Sequence, residues 1–380
     1  MALVVAPDLL VRVDGSASRS IEIVVGSGTN RRSYSHESEE LAAFLACAPE
    51  VANRDSLAAA VAEAINLEQS EAGKLTDFLL LEGLFVEKSS SPDEGAERWK
   101  RSGWQEALAY HRASQNLRFN RDAKNYLNAI TKQLLRSERG EDYRQPGPFK
   151  GYFSDDVLPL GELGEGAPTS KITLYEVFRR TRPFRPYAPG PLRADQLVAI
   201  MRHTYGVDAE CEGLLGPYFR RTTPSGGARH PIEAYVLVNE VCGVSAGLYH
   251  YAPLPHALRP LRYGDYRETL TQNCFDKPGI KTASVVIVLT VRWLRHMWKY
   301  RYAKSYRMVL MDVGHAIQTN LLNAHAVGVQ CFPCPSIFDQ GLEEFLGLRN
   351  PLDEGVIYAI GMGPAKPIEE GDTYFPEHQF

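Results

Sequence analysis

The apolar run ASVVIVLTV, from Ala283 to Val291, constrains the fold of this chain more than any other stretch. It is far shorter than the roughly 20 apolar residues that an α-helix needs to cross a bilayer. A short, uninterrupted apolar run of this kind is typical of a strand that is buried inside a sheet. The run therefore predicts a strand at the centre of a globular core and gives no support for a membrane anchor.

Length and composition agree with a globular protein of more than one unit. The chain has 380 residues, 44% of them hydrophobic and 23% charged, and chains of this length usually exceed one ordinary domain. Its net charge of -4 argues against a protein that binds nucleic acid as a whole. The first residues, MALVVAPDLLVRVD, lack the charged start of a signal peptide. We predict a cytoplasmic protein with no nucleic-acid or membrane partner.

The second half of the chain alternates between helical and strand patterns. Helices are predicted over 171–181, 193–206 and 306–328, and strands over 232–241, 247–253, 285–291 and 354–363. Strands that alternate with helices but include a hairpin-like pair predict an α+β layered sheet. No GxGxxG motif follows any of these strands, so a Rossmann-type NAD site is not expected.

Residues 9–88 form a separate pattern of two short strands, three helices and a last strand at Leu84–Val86. A polar linker, Lys88 to Glu97, follows them. This order resembles the winged-helix-like peptide-recognition domains that are fused to enzymes modifying ribosomally made peptides; a generic small α+β unit is the alternative. The predicted division is 1–90 for this domain, 91–165 for a helical linker region, and 166–380 for the main domain.

The cysteines do not indicate a disulfide framework, since the six are scattered along the chain. Cys331 and Cys334 form a CFPC motif, but a structural zinc site needs four ligands and no second pair accompanies this one. The sequence around the motif is interpreted as a loop. We predict no metal site, and small buried side chains are favoured over a redox role.

A loop with very small side chains precedes the predicted strand at 232–241. It contains Pro224, Ser225, Gly226 and Gly227 within the stretch RTTPSGGARHPIEAYVLV. Two successive glycines permit positive φ and let a flat or charged ligand approach the backbone. Taken alone, the loop is equally compatible with an ordinary turn.

Two further stretches are rich in cations. RRTRPFRPYAPGPLRADQL contains Arg182 and Arg185, whose planar guanidinium groups suit a phosphate, although a solvated basic helix end is the simpler reading. RWLRHMWKYRYAKSYR, from Arg292 to Arg307, lies between a predicted buried strand and a predicted buried helix. That position fits the wall of a cleft better than a nucleic-acid surface.

Taken in order, these stretches resemble the nitroreductase-like flavoproteins, and specifically the SagB/ThcOx-type branch of thiazoline and oxazoline dehydrogenases. The resemblance extends over roughly residues 98–365. The matching positions are Arg182, Arg185 and Tyr187, Pro224 to Pro231, Gly247 to Tyr251, Lys299 and Tyr300, Tyr306 and Arg307, and Gly314 and His315.

The resemblance implies a nitroreductase-like layered sheet in a domain-swapped-type homodimer, with FMN at the interface of the two copies. Arg182 and Arg185 would pair with the phosphate or ribityl chain, and the backbone of Pro224, Ser225, Gly226 and Gly227 would lie against the flavin ring. The implied reaction is oxidation of thiazoline or oxazoline rings in a ribosomally made peptide. The implied partners are that peptide and a cyclodehydratase or other enzymes of the same pathway.

For the catalytic base, Lys299 is the first candidate, because burial and nearby cations such as Arg295 and Arg301 would lower its pKa. Tyr300 is the second candidate, as a donor or orienting group. A surface cation beside a packed aromatic ring is the structural alternative for this pair.

Two departures from the family pattern leave questions open. The spacing from Lys299 to Arg307 is one residue longer than expected, so Lys304 is an alternative base, and Pro183 stands where the superfamily usually has Ser. Three other functions also remain open. They are an FMN-dependent NAD(P)H reductase of nitro or quinone compounds, an oxidase of another peptide-derived bond, and a noncatalytic peptide-docking subunit.

Overall fold

The computed structural model describes residues 3–5, 10–13, 21–25, 32–36, 41, 43–45, 48, 50–81, 84–87, 94–114, 145–151, 156–163, 172–181, 185–213 and 216–367. The chain divides into two compact units, Met1–Tyr126 and Leu127–Phe380. The predicted boundaries at residues 90 and 165 stay a prediction.

The first unit contains two small antiparallel sheets and a set of helices. Its elements are β1 (Leu3–Val5), β2 (Leu10–Val13), β3 (Ile21–Val25), β4 (Arg32–His36), α1 (Arg54–Ile65), α2 (Gln69–Leu81), β5 (Phe85–Glu87), α3 (Glu94–Arg101) and α4 (Gln105–Ala113). β1 pairs with β5, and β3 lies between β2 and β4. The sequence predicts β2, β3, α1, α2 and β5, but it misses β1 and β4. The winged-helix-like assignment of this unit stays a prediction.

The first unit has a hydrophobic core of its own. Its buried members include Leu45, Leu57, Val61 and Leu79. Asn53 caps the start of α1, since its side chain accepts a hydrogen bond from the Ser56 N–H. Each fully buried leucine or valine contributes about 1.5–3 kcal/mol, so the helices of this unit are stabilised mainly by their packing.

The second unit is built around one large sheet. Its elements are β6 (Leu158–Pro159), α5 (Leu174–Arg180), α6 (Ala194–Tyr205), β7 (Ala209–Cys211), β8 (Tyr218–Arg220), β9 (Ile232–Val238), β10 (Gly247–Ala252), β11 (Ala257–Tyr263), α7 (Arg267–Asn273), α8 (Pro278–Lys281), β12 (Val285–Arg292), α9 (Trp293–Met297), α10 (Ser305–Ala326), β13 (Val329–Cys334), α11 (Asp339–Leu346) and β14 (Glu354–Pro364). In the described part of this unit, the strands of the large sheet are antiparallel and follow the order β13-β14-β12-β9-β10-β11-β6.

Helices cover both faces of this sheet. Alternate residues of β12 point to opposite faces: Ile287 and Leu289 pack with α6 and α10, whereas Val286 and Val288 pack with α7, α8 and α11. β12 lies between β14 and β9, so it is buried on all sides, as the apolar run predicts. The result is an α+β layered sheet, which confirms the predicted fold class.

The CFPC motif lies on a strand, so its interpretation as a loop is wrong. Cys331 and Cys334 belong to β13 and are both buried. Pro333 pairs opposite Ile360 of β14, and the sheet tolerates it because β13 is an edge strand. A strand at the edge of a sheet pairs on one side only, so the missing N–H of Pro333 is tolerated there. Because proline usually argues against a strand, the sequence alone does not predict β13.

No helix in the described ranges is long and apolar enough to cross a membrane.

Candidate functional site

The loop before β9 adopts an unusual backbone conformation. Gly226–Ala228 form a single 3-10 turn, closed by a 3.1 Å hydrogen bond from the Ala228 N–H to the Ser225 carbonyl. Gly227, Ala228 and His230 have φ values of 61°, 53° and 44°. The left-handed backbone conformation destabilises a residue other than glycine by about 1–2 kcal/mol. The surrounding contacts must therefore hold the loop in place, as strained backbone at functional sites usually requires.

Asp312 of α10 supplies one of these contacts. Its carboxylate accepts hydrogen bonds from Ser225 Oγ at 2.6 Å and from the Gly226 N–H at 3.1 Å. Ser225 Oγ in turn accepts the His230 N–H at 2.9 Å. Burial raises the pKa of Asp312, while the hydrogen bonds from Ser225 and Gly226 oppose that rise. The Gly226 N–H is thus engaged by the protein itself.

Lys299 and Tyr300 contact the loop from the other side. A Cβ on Gly227 would overlap Tyr300 Oη and would lie 2.9 Å from Lys299 Nζ. Lys299 Nζ also lies 5.5 Å from the centre of the Tyr300 ring. The structure therefore brings together the two motifs that carry the resemblance, and it requires glycine at position 227 on both steric and conformational grounds.

Lys299 is half-buried, and its pKa is lowered first by burial and then by the charge of Arg229. The sequence named Arg295 and Arg301 as the cations responsible, and that attribution is wrong. Arg229 Nε donates to the Arg295 carbonyl at 3.0 Å, and its guanidinium lies 5.1 Å from the Trp298 ring. Lys304 immediately precedes α10 and is partly buried.

A buried ionic cluster of Arg295, Glu233 and His250 contacts the loop before β9. Arg295 and Glu233 are 1% and 3% exposed and form an ion pair at 2.5 Å. His250 Nε2 lies 2.8 Å from the other Glu233 carboxylate oxygen. Burial opposes ionisation of Glu233, but Arg295 and His250 outweigh it and lower the pKa of Glu233 to about 2.

Arg295 also ties two backbone segments together. It donates from Nη1 to the His230 carbonyl at 3.3 Å and from Nε to the Gly147 carbonyl at 3.1 Å. Close to the second contact, Lys150 Nζ lies 2.9 Å from Glu354 Oε2. Arg295 therefore anchors both the loop before β9, through His230, and the segment 145–151, through Gly147.

A basic cleft lies near the far end of α10. It has a volume of about 430 Å³ and is lined by Arg185, His325, Gly328, Val329, Gln330, Ala365, Lys366 and Pro367. Arg185 Nη2 donates to the Pro367 carbonyl at 3.4 Å. Arg182, the other predicted phosphate-binding residue, lies outside the described residues. Asp312 and His325 are 13 positions apart on α10, so the loop and the cleft are separated by about 20 Å along the helix.

Comparison with known proteins assigns part of the chain to a family. Residues 177–364 match the model of the Nitroreductase family. This protein contains a nitroreductase-family domain. The matched residues include the loop before β9, Lys299 and Tyr300, Arg185 and Asp312, whereas Lys366 lies just beyond them.

Two relatives extend the comparison. The trifolitoxin-processing protein TfxB of Rhizobium leguminosarum bv. trifolii is 32% identical over 177 residues, which is 45% of this chain and 47% of that protein. The microcin B17-processing protein McbC of Escherichia coli is 32% identical over 121 residues, or 29% and 42% of the two chains. The matched segments thus span less than half the length of either relative.

Among solved structures, the E. coli microcin synthetase McbBCD complex with truncated pro-MccB17 bound has a chain with 20% sequence identity. Its TM-score is 0.42, with 62% of this chain and 82% of that chain covered.

The sequence does not predict several residues of the site in the nitroreductase-family domain. Asp312, Arg229, Glu233 and His250 are absent from the predicted site. Glu233 and His250 each stand within an apolar strand, and that contrast is a usable signal for a paired buried charge. Arg229 falls inside the Pro224 to Pro231 motif, but the motif does not reveal that its charge acts on Lys299, which is distant in sequence.

Replacing Asp312 should loosen the loop. Asp312→Ala leaves the Ser225 hydroxyl and the Gly226 N–H without an acceptor, at about 1–3 kcal/mol for each buried unsatisfied group. We expect the free energy of unfolding to fall by about 2 kcal/mol or more in urea, and by roughly half as much for Asp312→Asn, which keeps one acceptor oxygen.

The pH dependence gives a second readout for Asp312. Because burial raises its folded pKa, its stabilising contribution is present below the unfolded value of about 4 and is lost as the pH rises through the folded value. The difference between wild type and Asp312→Asn should therefore shrink from pH 4 to pH 7. If the Ala and Asn variants both unfold at the wild-type urea concentration, Asp312 does not hold the loop.

Proposed function

We propose that this protein is an FMN-dependent oxidoreductase that converts thiazoline or oxazoline rings in a ribosomally made peptide to thiazole or oxazole. The observation that carries the proposal is the half-buried Lys299, held with Tyr300 against Gly227 in a nitroreductase-family domain. The names of two relatives, which describe proteins that process trifolitoxin and microcin B17, support a role in peptide maturation.

The residues of the site fit FMN. Tyr300 Oη and Lys299 Nζ lie against the backbone of Gly227, and the outer side of this glycine is exposed, so a flat ring could lie on the loop beside both polar groups. The basic cleft with Arg185 and Lys366 suits a single phosphate. Because the loop and the cleft lie about 20 Å apart within one chain, we propose that FMN is held at the interface of two copies. Arg185, Lys366 and the undescribed Arg182 of one copy would hold the phosphate, and Pro224, Ser225, Gly226 and Gly227 of the other copy would lie against the ring. When bound, FMN would supply the two-electron acceptor.

The proposed reaction also needs a base on the protein that accepts a proton from the substrate ring. Aromatisation of an azoline removes two electrons and two protons from the ring, and one of those protons has to reach a base. A lowered pKa raises the fraction of neutral Lys299 near neutral pH, and only the neutral amine can accept a proton. Tyr300, whose Oη faces Gly227, would donate a hydrogen bond to the substrate or orient it.

A second copy of the chain belongs to this proposal. Leu294 and Met297 of α9 and Leu310 and Met311 of α10 are between 42% and 59% exposed in the single chain. Exposed apolar side chains on neighbouring helices favour a protein–protein contact. We propose a homodimer that covers this face. We also propose that the peptide and a cyclodehydratase or another enzyme of the same pathway are partners, with residues 1–90 binding peptide.

Purified full-length protein and an azoline-containing synthetic peptide test the function. We expect a yellow protein that releases FMN on denaturation and has the molar mass of a dimer by light scattering. Incubation with the protein should lower the mass of the peptide by two hydrogens per ring. A colourless protein that leaves the peptide mass unchanged would refute the proposal. Rapid bleaching by NADPH and reduction of a nitro compound, with no change in the peptide, would point to the reductase instead.

A further inference from the structure

Tyr187 belongs to the motif that carries the family resemblance, but neither the proposed reaction nor the proposed FMN contacts give it a role. It lies two residues after Arg185, which lines the basic cleft. Its side chain is half-buried and packs against the hydrophobic core on one face of the large sheet. The contacts of Tyr187 therefore bear on how the cleft is built.

The ring of Tyr187 lies lengthwise along β14. A Cβ on Gly363 would be 2.6 Å from Tyr187 Cγ, and a Cβ on Gly361 would be 2.8 Å from Tyr187 Oη. Both distances are too short for a real contact, so neither position has room for a side chain. Residues two apart on a strand face the same side of the sheet. The two glycines therefore form a groove on β14, and the phenol ring fills it.

The hydroxyl group of Tyr187 is fixed at the far end of this groove. Its Oη donates a 2.6 Å hydrogen bond to the carbonyl of Gly279 in α8. Gly279 has no room for a Cβ either, because the ring of Phe332 occupies that space. The ring is thus held at both ends, by Gly363 at its base and by Gly279 at its hydroxyl.

The segment that carries Tyr187 runs alongside the end of β14. The Ala188 N–H donates to the Pro364 carbonyl at 2.8 Å. Arg185, three residues earlier, donates from Nη2 to the carbonyl of Pro367 at 3.4 Å. The acceptor moves forward along the chain as the donor moves back, so the two segments run antiparallel.

The geometry of the cleft depends on how these two segments are held together. Arg185 and Lys366 line the cleft from the two different segments. Arg185 follows α5 and Lys366 follows β14, so neither cation stands on a helix or a strand. Hydrogen bonds from such groups to a phosphate depend on distance and direction. Contacts between the segments must therefore set the separation of the two cations, and the Tyr187 ring provides one.

We propose that Tyr187 is a positioning residue for the basic cleft. Its ring, held in the groove on β14, keeps Arg185 alongside Lys366 so that both cations face one phosphate group. The inference rests on the proposed FMN site, since FMN supplies that phosphate. Tyr187 acts on the ligand through Arg185.

The test measures the dissociation constants of FMN and riboflavin for the full-length, flavin-stripped protein by flavin fluorescence. Riboflavin has the same ring system and ribityl chain as FMN but no phosphate. Tyr187→Ala should weaken FMN binding about 10- to 100-fold, the range for a lost hydrogen bond to a charged group. The riboflavin constant should stay near the wild-type value. Tyr187→Phe keeps the ring in the groove and should retain most of the FMN affinity.

A double-mutant cycle shows whether Tyr187 acts through Arg185. In the Arg185→Met background the phosphate contact is already lost. Adding Tyr187→Ala should then weaken FMN binding by no more than about 2-fold, the usual scatter between independent effects. Gly363→Ala is a second variant, because its methyl group would displace the ring from the groove without changing Tyr187. It should weaken FMN but not riboflavin, as Tyr187→Ala does.

Tyr266→Ala is the matched control. Tyr266 packs against the same core cluster as Tyr187, and its Oη donates to the Tyr263 carbonyl at 3.1 Å. Like Tyr187→Ala, it should lower the free energy of unfolding in urea. It should leave the ratio of the FMN and riboflavin dissociation constants unchanged.

The outcomes separate this inference from the proposed function. A wild-type protein that binds neither flavin would refute the proposed function, and the Tyr187 inference with it. A wild type that binds FMN, beside Tyr187→Ala and Gly363→Ala variants that weaken FMN and riboflavin equally, would overturn the Tyr187 inference alone. Full additivity in the double-mutant cycle would overturn it too. If Tyr187→Ala fails to fold, Gly363→Ala decides between these outcomes.

Discussion

Lys299→Met should slow azoline oxidation by about 10²- to 10⁴-fold, the usual loss when a general base is removed. Methionine keeps much of the volume of the lysine stem and removes only the amine. The packing against Gly227 and Tyr300 should survive, so we expect folded, yellow protein with a wild-type melting temperature. Peptide mass change followed over time, with flavin absorbance measured on the same sample, gives both readouts.

Lys304→Met is the matched control for Lys299→Met. Lys304 stands just before α10, five residues further along the chain, and removal of its amine should leave the rate near wild type. An inactive Lys304 variant beside an active Lys299 variant would place the base at Lys304 and would mean that the Lys-Tyr pair is the wrong anchor for the motif.

Arg295→Met should lower the free energy of unfolding by about 3–5 kcal/mol, because it leaves the Glu233 carboxylate buried without its cation. The variant also loses the donors to His230 and Gly147, so both backbone segments are released together. Urea unfolding at pH 7 measures the loss. A loss within about 0.5 kcal/mol, the range of a surface substitution, would contradict the proposed anchoring role.

The pH dependence isolates the ion pair within this effect. A depressed pKa means that Glu233 contributes stability above its unfolded value of about 4.3, and that this contribution is lost as the pH falls toward 2. The gap between wild type and Arg295→Met should therefore narrow as the pH falls below about 4.3. Arg301→Met, four residues beyond the end of α9, is the control and should lose far less.

Local patterns predict much of the sheet and its helices. β9, β10, β12 and β14 and the helices α6 and α10 lie where apolar runs and helical periodicity place them, with ends shifted by a few residues. The four strands and α6 are buried over most of their length, and α10 is buried along one face, so the buried positions must be apolar and the pattern is strong. β11 and β13 are missed because a proline interrupts each of them, at Pro260 and Pro333.

The candidate site was only partly visible in the sequence. The glycine loop and the Lys-Tyr pair stand out because they are short, contiguous motifs. The contacts that hold them do not, since Asp312, Glu233 and Arg295 come from three elements far apart in the chain. Positive φ at Ala228 and His230 is likewise unexpected for those residue types, and only the surrounding hydrogen bonds make it tolerable.

By itself, the sequence determined which segments are apolar enough to form a layered core, and which short motif offers a bare loop beside a lysine. Both properties depend on neighbouring residues only. The tertiary structure alone decided that Arg229 is the cation lowering the pKa of Lys299 and that Asp312 holds the loop. Burial and charge act through space, so a pKa or a buried hydrogen bond is set by residues that the chain brings together only when it folds.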